Sequence, residues 1–472
     1  MKKNRIITII LCLFLLIGVN PETMAATETE QGSVATCHGI DASEPYLGYG
    51  QIIENSQAVF LYERNSNTLM YTQNPDIKIY PSSLVKILTA YLAIENGNLD
   101  AVVTVREDVI NQVPGEAVTA NLLPGEQMSL RDLLNCMMVG SANDAASVIA
   151  DHISGSESAF VEMMNAYVNA IGCTDTVIKN PHGLHDEEQI STVRDQARIL
   201  LSVLENESFC DLFATVSYTV PQTNLSDERE LSSSNYLMNK DAYYDSRVTG
   251  GRTGIGEDGY RCLATTADSD DMELLCILVG AKSVKDDNGN TVVYGGFHET
   301  KALYDAVFNE YKIASVIYAG QPLKQLSVVN GVNDVVIGPM ESTNAILPKN
   351  VSFGDLTFRY SAVQQNLEAP VDKGVHVSDV EIWCGNMRIA YAELYTMNRV
   401  RSVQEINAEQ EETEKKEKTN DGSGTGRIVA IVAVCAFSAA VILTIVLRVA
   451  VKKKHNSENK KIRRRRPLGR NR

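Results

Sequence analysis

Pro81-Ser82-Ser83-Leu84-Val85-Lys86-Ile87-Leu88-Thr89-Ala90-Tyr91-Leu92 reads as a helix start with chemistry on one face. Pro81 suits the entry to a helix, and Leu84, Ile87, Leu88, Tyr91 and Leu92 repeat at helical spacing. Ser83 and Lys86 stand three apart, one turn along the same face. A lysine kept neutral by its surroundings can take a seryl proton. The helix N-terminus adds N–H groups and a positive dipole end where an oxyanion develops. Ser82 has no such partner, because Val85 lies three beyond it. Taken alone, Ser-x-x-Lys is as readily a solvated helix start.

Two further motifs follow in chain order. Ser141-Ala142-Asn143 comes after Met137-Met138-Val139-Gly140, between two apolar helical stretches. A hydroxyl and an amide there can pass a proton to a leaving group and hold a substrate amide; a plain helix cap accounts for them equally well. Arg252-Thr253-Gly254 follows Gly250-Gly251 on an expected strand. Glycines on both sides let a ligand backbone lie against that edge. Arg252 and Thr253 then offer charge-assisted hydrogen bonds to a carboxylate, the bland alternative being an arginine on an exposed edge. Together the three supply serine acyl transfer without a histidine.

Outward from the motifs, 58–63 and 68–71 read as strands joined at Asn65-Ser66-Asn67. Ser129-Leu130-Arg131-Asp132 carries a capping-box pattern that opens a helix, and 145–153 looks helical again. Three strands are expected at 247–253, 260–266 and 273–279, then a closing helix over 300–311. Helices between an opening hairpin and later strands imply an α/β domain with an antiparallel sheet over 45–315. From 316 to 400 short strand-like runs (326–329, 334–337, 356–360, 375–382, 387–392) predict a small all-β domain. The Glu/Lys-rich 401–427 stretch, ending in Asp421-Gly422-Ser423-Gly424, reads as a disordered linker.

Both ends carry targeting signals. Lys2, Lys3 and Arg5 precede an apolar run and Thr23-Met24-Ala25, which marks 1–26 as a signal peptide. The uncharged 428–447 stretch is long enough for a transmembrane helix. The basic 448–472 tail, with Lys452-Lys453-Lys454 and Arg463-Arg464-Arg465-Arg466, belongs in the cytoplasm by the positive-inside rule. The catalytic domain is then extracellular on a single-pass cell-membrane protein, and a Gram-positive-type bacterium fits that layout. The formal charge of −16 across 472 residues is reached despite this basic tail, so the exported part is strongly acidic. Such a surface excludes nucleic acid as a partner and requires anionic substrates to be caught by particular cations. Seven cysteines remain between signal and span, with no Cys-x-x-Cys, which reads as buried thiols rather than a disulfide framework.

The three motifs in this order resemble the Ser-x-x-Lys, Ser-x-Asn-type and Lys-Thr-Gly signature of penicillin-binding proteins and serine β-lactamases. The wider context resembles the serine-type D-alanyl-D-alanine carboxypeptidases, the low-molecular-mass penicillin-binding proteins. That resemblance spans residues 45–400 and rests on the Pro81–Thr89 block, Leu123-Pro124-Gly125-Glu126 leading to Gly140-Ser141-Ala142-Asn143-Asp144-Ala145, and Asn180-Pro181-His182-Gly183-Leu184 with Thr192-Val193-Arg194-Asp195. It continues through Gly251-Arg252-Thr253-Gly254 with Gly259-Tyr260, and Ala369-Pro370-Val371-Asp372-Lys373-Gly374. It implies a DD-peptidase-like α/β fold, removal of the terminal D-alanine from peptidoglycan stem pentapeptides through an acyl-serine, and β-lactams as covalent inhibitors. By position it implies Ser83 as nucleophile, Lys86 as base, Ser141 and Asn143 as shuttle and amide holder, and Arg252, Thr253 and Gly254 as substrate-binding. The N–H groups of Ser83 and Ile255 would form the oxyanion hole, with no cofactor.

Two departures stand out. Arg252 occupies a place where the family usually has lysine, and Gly295-Gly296-Phe297 stands where an arginine is expected before the closing helix. A β-lactamase is the enzymatic alternative, but no Glu-x-x-x-Asn element lies between the second and third motifs. A non-catalytic wall-binding protein is the other, suggested by Arg252. His182 and His185 lack a third ligand at zinc spacing, so no metal site is expected.

Overall fold

The structure, a computed structural model, describes residues 40–41, 46–47, 53–239, 242–256, 259–286, 291–361 and 367–419. The expected signal peptide, membrane span and basic tail lie outside these residues. Among the described residues no helix is long and apolar enough to cross a membrane.

Five strands build the sheet that carries the third motif: β1 (Ala58–Glu63), β2 (Thr68–Gln73), β3 (Val248–Ile255), β4 (Arg261–Ser269) and β5 (Met272–Ala281). Their order is β2-β1-β5-β4-β3, all neighbours antiparallel, which places β3 at an edge. The β1–β2 turn falls where Asn65-Ser66-Asn67 predicts it, with Asn67 at φ +52. Glu63 fastens this turn through the Ser66 amide (2.7 Å) and hydroxyl (2.6 Å). β1 is buried along its whole length.

The first-motif helix is more central than its stripe suggests. Ser82–Leu84 forms a 3-10 turn that leads into an α-helix over Val85–Asn96. Val85 through Ala90 are buried without a break, so all sides of its first turns are covered. A helix buried all round its first turns belongs inside a domain. The helix Leu130–Met138 begins at a complete capping box: Ser129 Oγ accepts from the Asp132 amide at 3.0 Å, and Asp132 accepts from the Ser129 amide at 3.3 Å. The next helix runs Asn143–Ser154, and the closing helix is longer than expected, Gly295–Glu310. The apolar core joins β1, β4 and β5 to these helices through Phe60, Leu84, Leu88, Leu133, Ile149 and Ile277, each at most 1% exposed.

The described residues divide into two compact units. The first holds the chain to Ala319 together with Glu341–Ser361 and Asp379–Ala392. In it Tyr311–Ile317 pairs antiparallel with Thr343–Pro348, and Leu356–Tyr360 with the far half of His376–Cys384. In the second, Lys324–Leu326 pairs with Val335–Gly338, which also pairs with the end of Met387–Thr396. The C-terminal region is thus a β domain. The strands Tyr311–Ile317 and Thr343–Pro348 were not legible beforehand, because the first continues directly from the closing helix and the second ends in proline.

The 401–427 linker needs correction. Val403–Thr419 is a helix, not a disordered segment. Ser402 caps it, accepting from the Glu405 amide at 3.0 Å while Glu405 accepts from the Ser402 amide at 3.0 Å. Glu411–Lys415 and Glu412–Lys416 pairs one turn apart add support. Low apolar content argues for disorder, yet Glu, Lys, Gln and Ala are all good helix formers. The remainder of that stretch lies outside the described residues.

Candidate active site

The three motifs converge on Ser83. Ser82, immediately before it, sits at φ +50, a left-handed conformation uncommon outside glycine, and its hydroxyl donates to Ile255 O at 2.9 Å. This bond ties the 3-10 turn to edge strand β3. From the other side Gly183, at φ +83, presses against the same turn: a Cβ on it would lie 2.0 Å from Ser82 O and 3.0 Å from Ser83 N. The Asn180–Leu184 loop is held in place by Thr89 Oγ1, which donates to Pro181 O at 2.7 Å, and by the Gly183 amide, which donates to Asn180 Oδ1 at 2.7 Å. A side chain on Gly254 would meet Ser82 Oγ at 3.0 Å and Ser83 N at 3.1 Å. The Ser83 N–H thus faces a strand position that a side chain would crowd.

Lys86 is fully buried, with an ammonium that has only uncharged partners. Its Nζ donates to Ser83 Oγ (3.2 Å), Ser141 O (3.1 Å) and Asn143 Oδ1 (2.7 Å). Burial drives its pKa well below the ordinary lysine value, the Arg252 charge lowers it further, and Asp144 opposes both. A lysine whose pKa is depressed by burial, beside a seryl hydroxyl, is what a general base requires. Ser141 reaches the site through a backbone at φ +64, which turns its carbonyl towards Lys86. The helix behind it is capped at Ala142, without a side-chain bond, so neither Ser141 nor Asn143 serves as its cap. Both atoms of the Asn143 amide are engaged, Oδ1 by Lys86 and Nδ2 as a donor to Val118 O at 2.9 Å.

Arg252 is buried rather than displayed on an open edge, at 3% exposure. Its nitrogens donate to Ser141 Oγ (2.6 Å), Met138 O (3.1 Å) and Ser83 O (3.4 Å), so it binds the three motifs together. Burial lowers its pKa to about 10, and it remains a cation near neutrality. Thr253 faces the other way and shares a 2.5 Å hydrogen bond with Ser234 Oγ. Ser234 was not singled out from the sequence; no motif marks it, and it meets the third motif through the Thr253 hydroxyl. Ile255 is 60% exposed, with its N–H on the edge strand.

His182 accepts from the Leu184 amide at Nδ1 (3.1 Å), and burial followed by the Lys86 charge pushes its pKa down to about 3. The ring is neutral, and its 3.9 Å approach to Glu157 is not an ion pair. Among the described residues no carboxylate hydrogen-bonds Ser83 or Lys86. Asp144 is spent on the amides of Ala120 (2.9 Å), Leu122 (3.1 Å) and Ala145 (2.9 Å). The six described cysteines are free.

A family model described as D-alanyl-D-alanine carboxypeptidase matches residues 49–283, the whole span of the three motifs. A second, the C-terminal domain of penicillin-binding protein 5, matches 311–402. The chain belongs to the D-alanyl-D-alanine carboxypeptidase family. It is 29% identical over 353 residues to the D-alanyl-D-alanine carboxypeptidase DacA of Haemophilus influenzae, covering 73% of this chain and 85% of that one. Against DacF of Bacillus subtilis identity is 26%, with 69% and 80% covered. The structure is similar to that of penicillin binding protein 5 from Haemophilus influenzae, with TM-score 0.59 and 27% identity, covering 74% of this chain and 98% of the other. DacD of Francisella tularensis shares the fold at TM-score 0.61 and 20% identity, covering 76% and 97%. Within this family the motif residues Ser83, Lys86, Ser141 and Asn143 stand in one hydrogen-bonded group, with Arg252 as the third-motif cation.

Proposed function

We propose that this chain removes the terminal D-alanine from peptidoglycan stem peptides through an acyl-serine. One observation carries the reading: a fully buried lysine of depressed pKa donates to Ser83 Oγ, where the Ser83 N–H faces a side-chain-free strand position. Ser83 Oγ attacks the penultimate D-alanine carbonyl and passes its proton to neutral Lys86. The tetrahedral oxyanion is held by the N–H groups of Ser83 and Ile255. As the C–N bond breaks, Lys86 returns the proton to the departing amine by way of the Ser141 hydroxyl. Water then hydrolyses the ester and frees Ser83. Asn143 and Arg252 hold Lys86 and Ser141 in place for both steps. A β-lactam carbonyl meets the same serine, and the absence of a free carboxylate beside it among the described residues favours a long-lived acyl-enzyme over β-lactamase turnover.

The chain is further read as an exported, membrane-anchored enzyme. The apolar leader before residue 26 and the uncharged 428–447 stretch followed by lysines and arginines support that placement. Incubation with fluorescent penicillin, followed by denaturing gel and assay of D-alanine release from a pentapeptide, tests the activity. A stable label and released D-alanine are expected; rapid loss of label would make it a β-lactamase, and no label would make it non-catalytic.

A further inference from the structure

The proposed reaction leaves one requirement without a residue: a cation for the free carboxylate at the substrate's end. Arg252 has the right charge, but its guanidinium is buried and committed to Ser83, Met138 and Ser141. Strand alternation also puts it on the face opposite Thr253. On β3, Arg252 and Gly254 face Ser83, while Gly251, Thr253 and Ile255 face the opposite side. A Cβ on Gly254 would point at Ser83 N, whereas one on Gly251 would point at Asn235 and Thr265.

Cross-strand partners share a face, and the β3–β4 register pairs Thr253 with Leu263 and Ile255 with Arg261. Arg261 therefore lies on the Thr253 side, one residue pair along. Its guanidinium carbon is 4.8 Å from the Tyr294 ring centroid and 5.8 Å from that of Phe297. Those rings pack against Tyr236 at 5.3 and 5.1 Å. Tyr236 in turn is two residues from Ser234, whose hydroxyl bonds Thr253. Arg261 and Thr253 thus share one face of the β3–β4 pair, and Ser234 reaches Thr253 from the segment that carries Tyr236. Among the described residues Arg261 has no ion pair and no side-chain hydrogen bond, and it is half-buried. Aromatic faces orient a guanidinium while leaving its N–H edge open for a bidentate grip on a carboxylate. Phe297, where an arginine was expected, becomes part of the seat for an arginine on the neighbouring strand.

We propose that Arg261, with the Thr253 and Ser234 hydroxyls, binds the C-terminal carboxylate of the substrate. This rests on the carboxypeptidase reading. The test uses the full chain in detergent and a D-alanyl-D-alanine peptide prepared as the free acid and as the C-terminal amide. Arg261→Gln should raise KM for the acid on the order of tenfold to a hundredfold, with kcat little changed. Its loss on the amide should be at least tenfold smaller, and Arg261→Lys should recover much of the acid's KM. Equal losses on acid and amide, or an unaltered KM for the acid, overturn the assignment. A wild-type chain that takes no penicillin and releases no D-alanine overturns the functional reading as well; a labelled, active wild type whose Gln variant ignores the carboxylate overturns only the role of Arg261.

Discussion

The Arg252 guanidinium donates a 2.6 Å hydrogen bond to the Ser141 hydroxyl, joining the third motif to the second inside the protein. The same cation lowers the pKa of Lys86. Arg252 thus holds the proton shuttle in place and helps keep the base neutral, which is distinct from gripping substrate. The pH dependence of acylation follows from this. The rate should rise with pH as Lys86 deprotonates, well below the ordinary lysine range. Removing the neighbouring cation in Arg252→Gln raises the Lys86 pKa, so the acid limb should move to higher pH, whereas Arg252→Lys should hold it nearer its wild-type position. Penicillin acylation rates measured between pH 5 and about 10 decide this; a limb that stays put in Arg252→Gln would show that the two charges do not communicate.

Ser83→Ala should abolish penicillin labelling and D-alanine release while thermal unfolding stays close to wild type. Ser83 Oγ has one side-chain partner, Lys86. Residual turnover at the wild-type rate would place the nucleophile elsewhere.

Lys86→Met should reduce acylation on the order of a hundredfold or more and at the same time raise the melting temperature near neutral pH. A lysine whose folded pKa lies below its unfolded value binds fewer protons in the folded state across that interval. Its cost is full below the folded pKa and fades as pH climbs towards the unfolded value. The gain in the Met variant should therefore shrink at alkaline pH. Calorimetry on both proteins at several pH values checks it, and a less stable variant at neutral pH would sink the argument.

Gly254→Ala and Gly183→Ala should fail in different ways. At Gly254 the added methyl crowds Ser82 Oγ and Ser83 N at 3.0 and 3.1 Å, a clash that a shift of a few tenths of an ångström relieves, so the fold should persist and acylation should fall. At Gly183 both φ and space are wrong, with Ser82 O only 2.0 Å away. That variant should lose roughly 1–3 kcal/mol of stability along with its activity. Melting curves beside labelling rates separate the two; equal melting temperatures would mean the loop accommodates the methyl.

Truncation after residue 426 should release a soluble form that still takes penicillin. Fractionation of cells expressing both lengths reads it out, and a truncated form that stays in the membrane fraction would show that another surface anchors the chain.

Much of the site was legible because its residues are held at fixed spacing by local structure. Ser83 and Lys86 sit one turn apart, and Ser129-Leu130-Arg131-Asp132 capped its helix as written. What was not legible depends on strand pairing. Arg252 was placed on the correct strand, but the burial of its guanidinium depends on β3 packing over the Ser82–Leu84 turn. Ser234 and Arg261 carry no local signature: Ser234 meets Thr253 by a side-chain hydrogen bond, and Arg261 comes to the Thr253 face through the β3–β4 register. The helix over Val403–Thr419 was missed because apolar content was weighed above helix propensity.

Lys86 also bears on the history of such proteins. It is a charge-capable residue at 0% exposure with only uncharged hydrogen-bond partners. Burial works against its charge, so its chemistry is the stronger reason to keep an amine there. In a lineage released from selection for that chemistry, drift should replace this lysine early with an aliphatic residue, while Gly183, which the fold itself demands, should outlast it. A descendant that kept the scaffold and lost the chemistry would be recognised by that pair of positions, one changed and the other not.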